Sequence, residues 1–135
     1  MSAPLDNLVK IGRLAPFSPA RTELENLRRS GRLRLRDSAD TALATESRFD
    51  LAYNGVFALA LSALHASGYK PTDRIYALLT LEHTTLLTLG HRQVIVKAHG
   101  LRNQMEYEGE QFTDTRLLTD LIAAGKALAA LLPDP

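Results

Sequence analysis

Phe49-Asp-Leu-Ala-Tyr53-Asn-Gly-Val56-Phe57-Ala-Leu-Ala60-Leu-Ser-Ala-Leu64 is the stretch on which the fold turns. Its apolar positions Phe49, Tyr53, Val56, Phe57, Ala60 and Leu64 are separated by 4, 3, 1, 3 and 4 residues, the spacing of one helix face. Thr45 or Ser47 is placed to cap this helix, and Ser67-Gly68 to end it. If that face is buried, truncating Phe57 to Ala should cost about 3–5 kcal/mol.

Working outward, turn signals cut the rest of the chain into further helices. A short one is expected from Leu5 to Ile11, ending near Gly12. Ser18-Pro19 reads as an N-cap with proline at N1, opening a helix from Ala20 to Arg29 with Ala20, Leu24 and Leu27 on one face. Gly31 reads as a break, and the next helix runs from Arg32 to Thr45 with Leu35, Ala39, Ala42 and Leu43 inward. Pro71-Thr72 restarts the chain into a helix carrying Ile75, Leu78, Leu79, Leu86 and Leu87, ending near Gly90. Another begins around Arg92 and passes through Val94, Ile95, Ala98, Leu101 and Met105. Gly100 inside it costs roughly 1 kcal/mol against Ala, which suggests a close packing point. The last follows Thr113, with Leu117, Leu121, Ala124 and Leu128 inward, and stops before Pro133. No strand pattern of period two competes. The expectation is an all-α fold, an antiparallel up-and-down bundle of four to six helices forming a single domain over 1–135.

Composition agrees. Of 135 residues, 45% are hydrophobic and 23% charged, close to the globular average and far from a disordered chain. With aromatics at 6% and no Trp, alanine and leucine carry the apolar content, which favours helices. Cysteine is absent, which removes disulfides, thiolate metal sites and a Cys nucleophile. No signal peptide is read at Met1 to Leu14, and no apolar run is long enough to span a bilayer, so a cytoplasmic protein without membrane association is expected. Sixteen Lys and Arg against 15 Asp and Glu leave a net charge of +1, so nucleic-acid binding requires a local patch.

Such patches exist. Arg28, Arg29, Arg32, Arg34 and Arg36 form a basic run without an acid, and Glu106, Glu108, Glu110 and Asp114 an acidic run without a base. The basic run suits phosphate contacts, or else a solvated face, or an ion-paired match to the acidic run. No aromatic residues interleave to stack bases. His65, His83, His91 and His99 contain no pair four apart, and His91 and His99 lack a carboxylate at metal-ligand spacing, so neither a metal nor another cofactor is expected. There is no Gly-rich phosphate loop and no G-x-S-x-G elbow. Two polar sets interrupt apolar helices. Glu46, Arg48, Asp50 and Asn54 sit on the Phe49–Leu64 helix, with Asp50 and Asn54 sharing a face. Arg102 and Glu106 form one i, i+4 stripe of the helix that begins around Arg92, and Asn103 and Tyr107 the next. Arg, Asn and Tyr side by side at a helix end can grip a phosphodiester. The plainer alternative is an Arg–Glu pair and a Tyr hydroxyl tied by Asn.

Three segments carry a resemblance: Glu46-Ser-Arg48-Phe49-Asp50-Leu-Ala52-Tyr53-Asn54, Ala63-Leu64-His65-Ala66-Ser67-Gly68-Tyr69, and Leu101-Arg102-Asn103-Gln-Met-Glu106-Tyr107-Glu108-Gly109. Together they resemble the HEPN superfamily over roughly Asp37 to Leu132. The family comprises small helical bundles of bacterial toxin–antitoxin and defence systems. Its catalytic members are metal-independent endoribonucleases that place an Arg, an adjacent polar residue and a His at a dimer cleft. Arg102 and Asn103 match the first two positions, and Tyr107 occupies the slot of the histidine. Imidazole exchanges protons near neutrality, whereas a phenol near pKa 10 is a poor base. A further family tyrosine, a modification target, is replaced by Gly109.

The resemblance implies a homodimeric protein that binds RNA or a nucleotide without efficient catalysis. Arg102, Asn103 and Tyr107 would form its site, with Arg48, Asn54, Arg28, Arg29 and Arg32 extending the footprint. One alternative is an active ribonuclease in which Tyr107 or a nearby His such as His99 serves. The other is an interaction module for a partner such as an antitoxin protein.

Overall fold

The computed structural model describes residues 2–109 and 111–134. Its elements follow in the order α1 (Ala3–Lys10), β1 (Leu14–Pro16), α2 (Arg21–Ser38), α3 (Thr45–Ala66), β2 (Tyr69–Pro71), α4 (Ile75–Leu79), α5 (Leu81–Thr84), α6 (Leu89–Glu108) and α7 (Thr115–Ala130). The all-α expectation holds, and none of the described helices is long and apolar enough to cross a membrane. Helix α3 is the axis of the core. Phe49, Tyr53, Val56, Ala60 and Leu64 are all buried; the first four pack with Leu35 of α2, Ile95 and Ala98 of α6, and Leu117, Leu121 and Leu128 of α7, while Leu64 joins Leu5, Leu14 and Tyr69 in a second cluster. Phe57 departs from the expected face: it is half-buried at the edge of the cluster.

Gly31 does not break a helix. Helix α2 passes straight through it, because its missing side chain lets α2 lie against α3. A Cβ there would stand 2.9 Å from the Gly55 carbonyl oxygen and 2.7 Å from Leu59 Cγ, and a Cβ on Gly55 would stand 2.9 Å from the Gly31 carbonyl oxygen. Gly31 meets Leu59, Leu35 meets Gly55, and Arg48 reaches Ser38, so the two helices run antiparallel. Helix α2 ends at Ser38, earlier than expected, where the Asp40 carboxylate accepts from the Ala42 N–H and turns the chain; Ala42 and Leu43 are exposed. The expected caps also move. Ala20 and Ala44 stand at the N-caps of α2 and α3, without side-chain capping bonds. At α7, by contrast, the Asp114 carboxylate accepts from the Leu117 N–H at 2.9 Å.

Further corrections concern the chain beyond α3 and the strand pair. The expected helix from Ile75 to Leu87 is two short pieces, divided at Thr80. The Thr80 and Thr85 hydroxyls bond back to the Tyr76 and Leu81 carbonyls, and Thr85 then accepts from the Leu87 N–H, which turns Leu87 inward and leaves Leu86 89% exposed. Helix α6 begins at Leu89, so Gly90 lies in its first turn instead of ending the element before it. Gly100 faces open space and is no packing point, while Gly109 ends α6 in the left-handed conformation with φ 69°. The chain also holds a strand pair, contrary to expectation: β1 and β2 pair antiparallel, with Leu14 opposite Pro71 and Pro16 opposite Tyr69. Each strand is three residues long and ends in proline, too short to show a period and suited only to an edge.

Candidate functional site

Helices α3 and α6 pack antiparallel, which brings the polar set of each to one seam. Tyr53 is buried on α3, and its hydroxyl lies 2.7 Å from His99 Nδ1 on α6. One turn on, the Asn103 amide nitrogen is 3.3 Å from His99 Nε2. With that amide N–H donating to Nε2, the proton of the neutral ring sits on Nδ1 and is donated to the Tyr53 oxygen. Both imidazole nitrogens are therefore engaged. Burial, and next the charge of Arg102, hold the His99 pKa below its ordinary value, so the ring is neutral at pH 7. Burial raises the Tyr53 pKa, against the opposing charges of Arg102 and Arg74. The phenol is neutral as well.

Arg102 lies over the Tyr53 ring, with its guanidinium carbon 4.9 Å from the ring centroid. Its Nη1 is 3.5 Å from Glu106, the i, i+4 pair expected from the spacing, and its Nε is buried without a hydrogen-bond partner among the described residues. Arg102 and Glu106, with Met105, form one wall of a cleft of about 260 Å³, and Glu46, Asp50 and Asn54 of α3 form the other. Asp50 and Asn54 thus share a face, as expected. Three carboxylates surround this end of the seam.

Other expected residues lie apart from the seam. Tyr107 is 83% exposed, and Asn103 bonds His99 rather than tying the tyrosine hydroxyl. Arg48 donates from Nε to the Ser38 carbonyl at 2.8 Å, closing the end of α2. Arg32 donates to the Ala129 and Leu132 carbonyls at 2.9 and 3.0 Å, closing the end of α7. Arg28 is buried within α2, and Arg29 bonds Asn26 on the surface. The basic run meets carbonyls and near neighbours, and pairing with the acidic run is not seen among the described residues. Of that acidic run, Asp114 caps α7 and Glu110 lies outside the described residues. Also among the described residues, no three His, Cys, Asp or Glu side chains are grouped to hold a metal.

His99, one turn before Asn103 and expected as an alternative to Tyr107, does lie in the seam. Two residues of the seam, Tyr53 and Arg74, carry no spacing signal that makes them its members. Tyr53 is hidden within the core pattern. Arg74, at the start of α4, has no spacing that links it to α3, yet its guanidinium lies 4.1 Å from the Phe57 ring centroid and its charge acts on both Tyr53 and His99. Comparison with family models, with curated protein sequences and with solved structures returns no match.

Proposed function

We propose that this chain is a HEPN-like domain that binds RNA or a nucleotide through Arg102, without efficient catalysis, as a homodimer of a toxin–antitoxin or defence type. The observation that carries the reading is the state of Arg102. Its guanidinium is held on the Tyr53 ring and makes one long contact among the described residues, from Nη1 to Glu106, while its buried Nε stays unpaired. A guanidinium fixed in place with donors to spare suits a phosphate oxygen, because little rotamer freedom remains to be lost on binding. Weak turnover follows from His99, since both ring nitrogens are already bonded.

The second chain in this proposal is another copy. Leu79, Leu89 and Val96 are exposed around a groove of about 440 Å³ between α4 and α6, whose rim carries both Glu82 and Lys97. Two copies related by a twofold axis can bury these side chains, with the Glu82–Arg92 pair and Lys97 left at the rim. Leu89 and Val96 lie on the same stripe of α6 as Asn103, so such a pairing brings two seams together.

The test mixes the protein with labelled single-stranded RNA at about 50 and 200 mM salt and follows anisotropy, with light scattering for mass. Salt-sensitive binding by a dimer, weakened at least tenfold in Arg102→Ala, is expected. Binding that Arg102→Ala leaves untouched would overturn the assignment.

An active ribonuclease is the second reading, favoured by the neutral His99 beside Arg102. Once Asn103 swings off Nε2, that nitrogen can take the proton of a 2′-hydroxyl. The oxygen then attacks phosphorus, and the leaving 5′ oxygen takes the proton back as a 2′,3′-cyclic phosphate forms. RNA cleavage lost in His99→Ala but kept in Tyr107→Phe would establish it.

A further inference from the structure

We infer that the phosphate is seated between two guanidiniums, Arg102 and Arg74, stacked on successive aromatic rings of α3 above the Tyr53–His99 hydrogen bond. The inference rests on the RNA- or nucleotide-binding reading and names a residue to which neither the sequence nor the resemblance gives a role.

Tyr53 and Phe57 are four residues apart and so share a face of α3, separated by about 6 Å along its axis. Arg102 comes from α6 and lies over the first ring; Arg74 comes from the start of α4 and lies over the second, closer, at 4.1 Å. Two guanidiniums held on rings one helical turn apart are close enough for one phosphate to accept from both. Stacking fixes their planes and leaves their edges to donate, and the aromatic faces favour the charge itself. Arg74 is exposed and makes no ion pair among the described residues. Its charge acts on the Tyr53 hydroxyl and on His99, the same two groups that Arg102 acts on. The two cations therefore share one field over the hydroxyl and the imidazole.

The seam is polarised as a result. Glu46, Asp50 and Glu106 crowd its far end, where an anion is repelled. Arg74 stands at the opposite end, so the phosphate is drawn past Arg102 toward α4 rather than into the carboxylate cleft. Asp73, which acts on His99 through its charge, is the one acid adjoining this end in sequence, and it leaves the pair of guanidiniums in excess.

The test uses the full chain, wild type and with Arg74→Ala, Arg74→Lys, Arg102→Ala and Arg116→Ala. The last removes one exposed positive charge from α7 as a control. Binding of a labelled single-stranded RNA decamer is measured across salt concentrations, and the His99 ring resonances are followed by NMR as RNA or a mononucleotide is added. Arg74→Ala should weaken RNA binding about tenfold and reduce the log–log salt slope by about 0.7, while Arg116→Ala changes neither. Arg74→Lys should restore part of the affinity. The His99 signals should move on ligand addition in the wild type and respond less in Arg74→Ala. A shift produced by the mononucleotide assigns the seat to a single phosphate; one produced only by RNA assigns it to the phosphodiester chain. If Arg102→Ala loses RNA while Arg74→Ala behaves as Arg116→Ala, the clamp is wrong and the binding reading stands. If the wild type shows no salt-sensitive binding and no His99 shift, both fall together.

Discussion

Replacing Gly31 and Gly100 by alanine tests the packing argument, because both sit inside helices and should respond with opposite signs. Alanine in a helix interior is favoured over glycine by about 1 kcal/mol, through lower backbone entropy in the unfolded chain. At Gly100 nothing lies within 4 Å of the new methyl group, so that gain is realised. At Gly31 the methyl would stand 2.9 Å from the Gly55 carbonyl oxygen, about 0.5 Å inside ordinary contact, and 2.7 Å from Leu59 Cγ. Leu59 is fully buried and the carbonyl belongs to a helix backbone, so neither can swing aside and α2 must move away from α3. Overpacking of this kind costs about 1–3 kcal/mol, which exceeds the propensity gain and leaves Gly31→Ala destabilised by about 1 kcal/mol. With about 4 °C per kcal/mol for a domain of this size, the Gly31→Ala midpoint should fall by about 4 °C and that of Gly100→Ala rise by about 2–4 °C. Thermal and urea unfolding followed by circular dichroism measures both. Equal upward shifts would refute the close α2–α3 contact, and a fall at Gly100 would refute the open placement of that residue.

Two other outcomes are expected of the fold. Phe49 is fully buried and stacked on Phe112 at 4.3 Å, so Phe49→Ala should cost about 3–5 kcal/mol, whereas half-buried Phe57→Ala should cost clearly less; equal losses in urea unfolding would contradict the edge position of Phe57. His99 and His65 both have folded-state pKa values lowered, first by burial. The folded chain then binds fewer protons than the unfolded one, so their contribution to stability is present above the unfolded value near 6.5 and is lost as the pH falls toward the folded values. Unfolding free energy should decline below about pH 6.5, and His99→Gln should flatten part of that decline; a profile unchanged by the substitution would remove His99 as a cause.

The strongest periodicity is the most legible. Five of the six apolar positions from Phe49 to Leu64 are buried, as are Leu117, Leu121, Ala124 and Leu128. Gly12 and Gly68 end helices as expected, with positive φ, but glycines inside helices are the least legible, because their meaning depends on what lies opposite. Gly31 looks like a break until Gly55 is set against it, and Gly100 looks like a contact until its surroundings prove empty. Thr80 and Thr85 divide a pattern that apolar spacing alone continues, since hydroxyl bonds to backbone carbonyls leave no mark on hydrophobic periodicity. At the seam, Arg102, Asn103, Asp50 and Asn54 were legible as polar residues on apolar helices. Tyr53 passed as core, and Arg74 became visible only when α4 was folded back beside α3.

The near-neutral charge acquires a different meaning from this placement. Arg32 and Arg48, which looked like phosphate ligands, bond the carbonyls at the ends of α7 and α2, where a cation is favoured by the helix dipole. Substituting them therefore tests the ends of helices before it tests any ligand. The positive charge left to a ligand at the seam is Arg102 and Arg74, held on aromatic rings. Carboxylates occupy the other end of the same seam. A polyanion lying along α3 would meet attraction at one end and repulsion at the other, whereas one crossing α3 near Tyr53 meets both guanidiniums and leaves the carboxylates to one side. If the proposed ligand is an RNA strand, the charge pattern sets a direction as well as a place: the strand would cross the seam, and the acids would limit how far it could slide toward the start of α3.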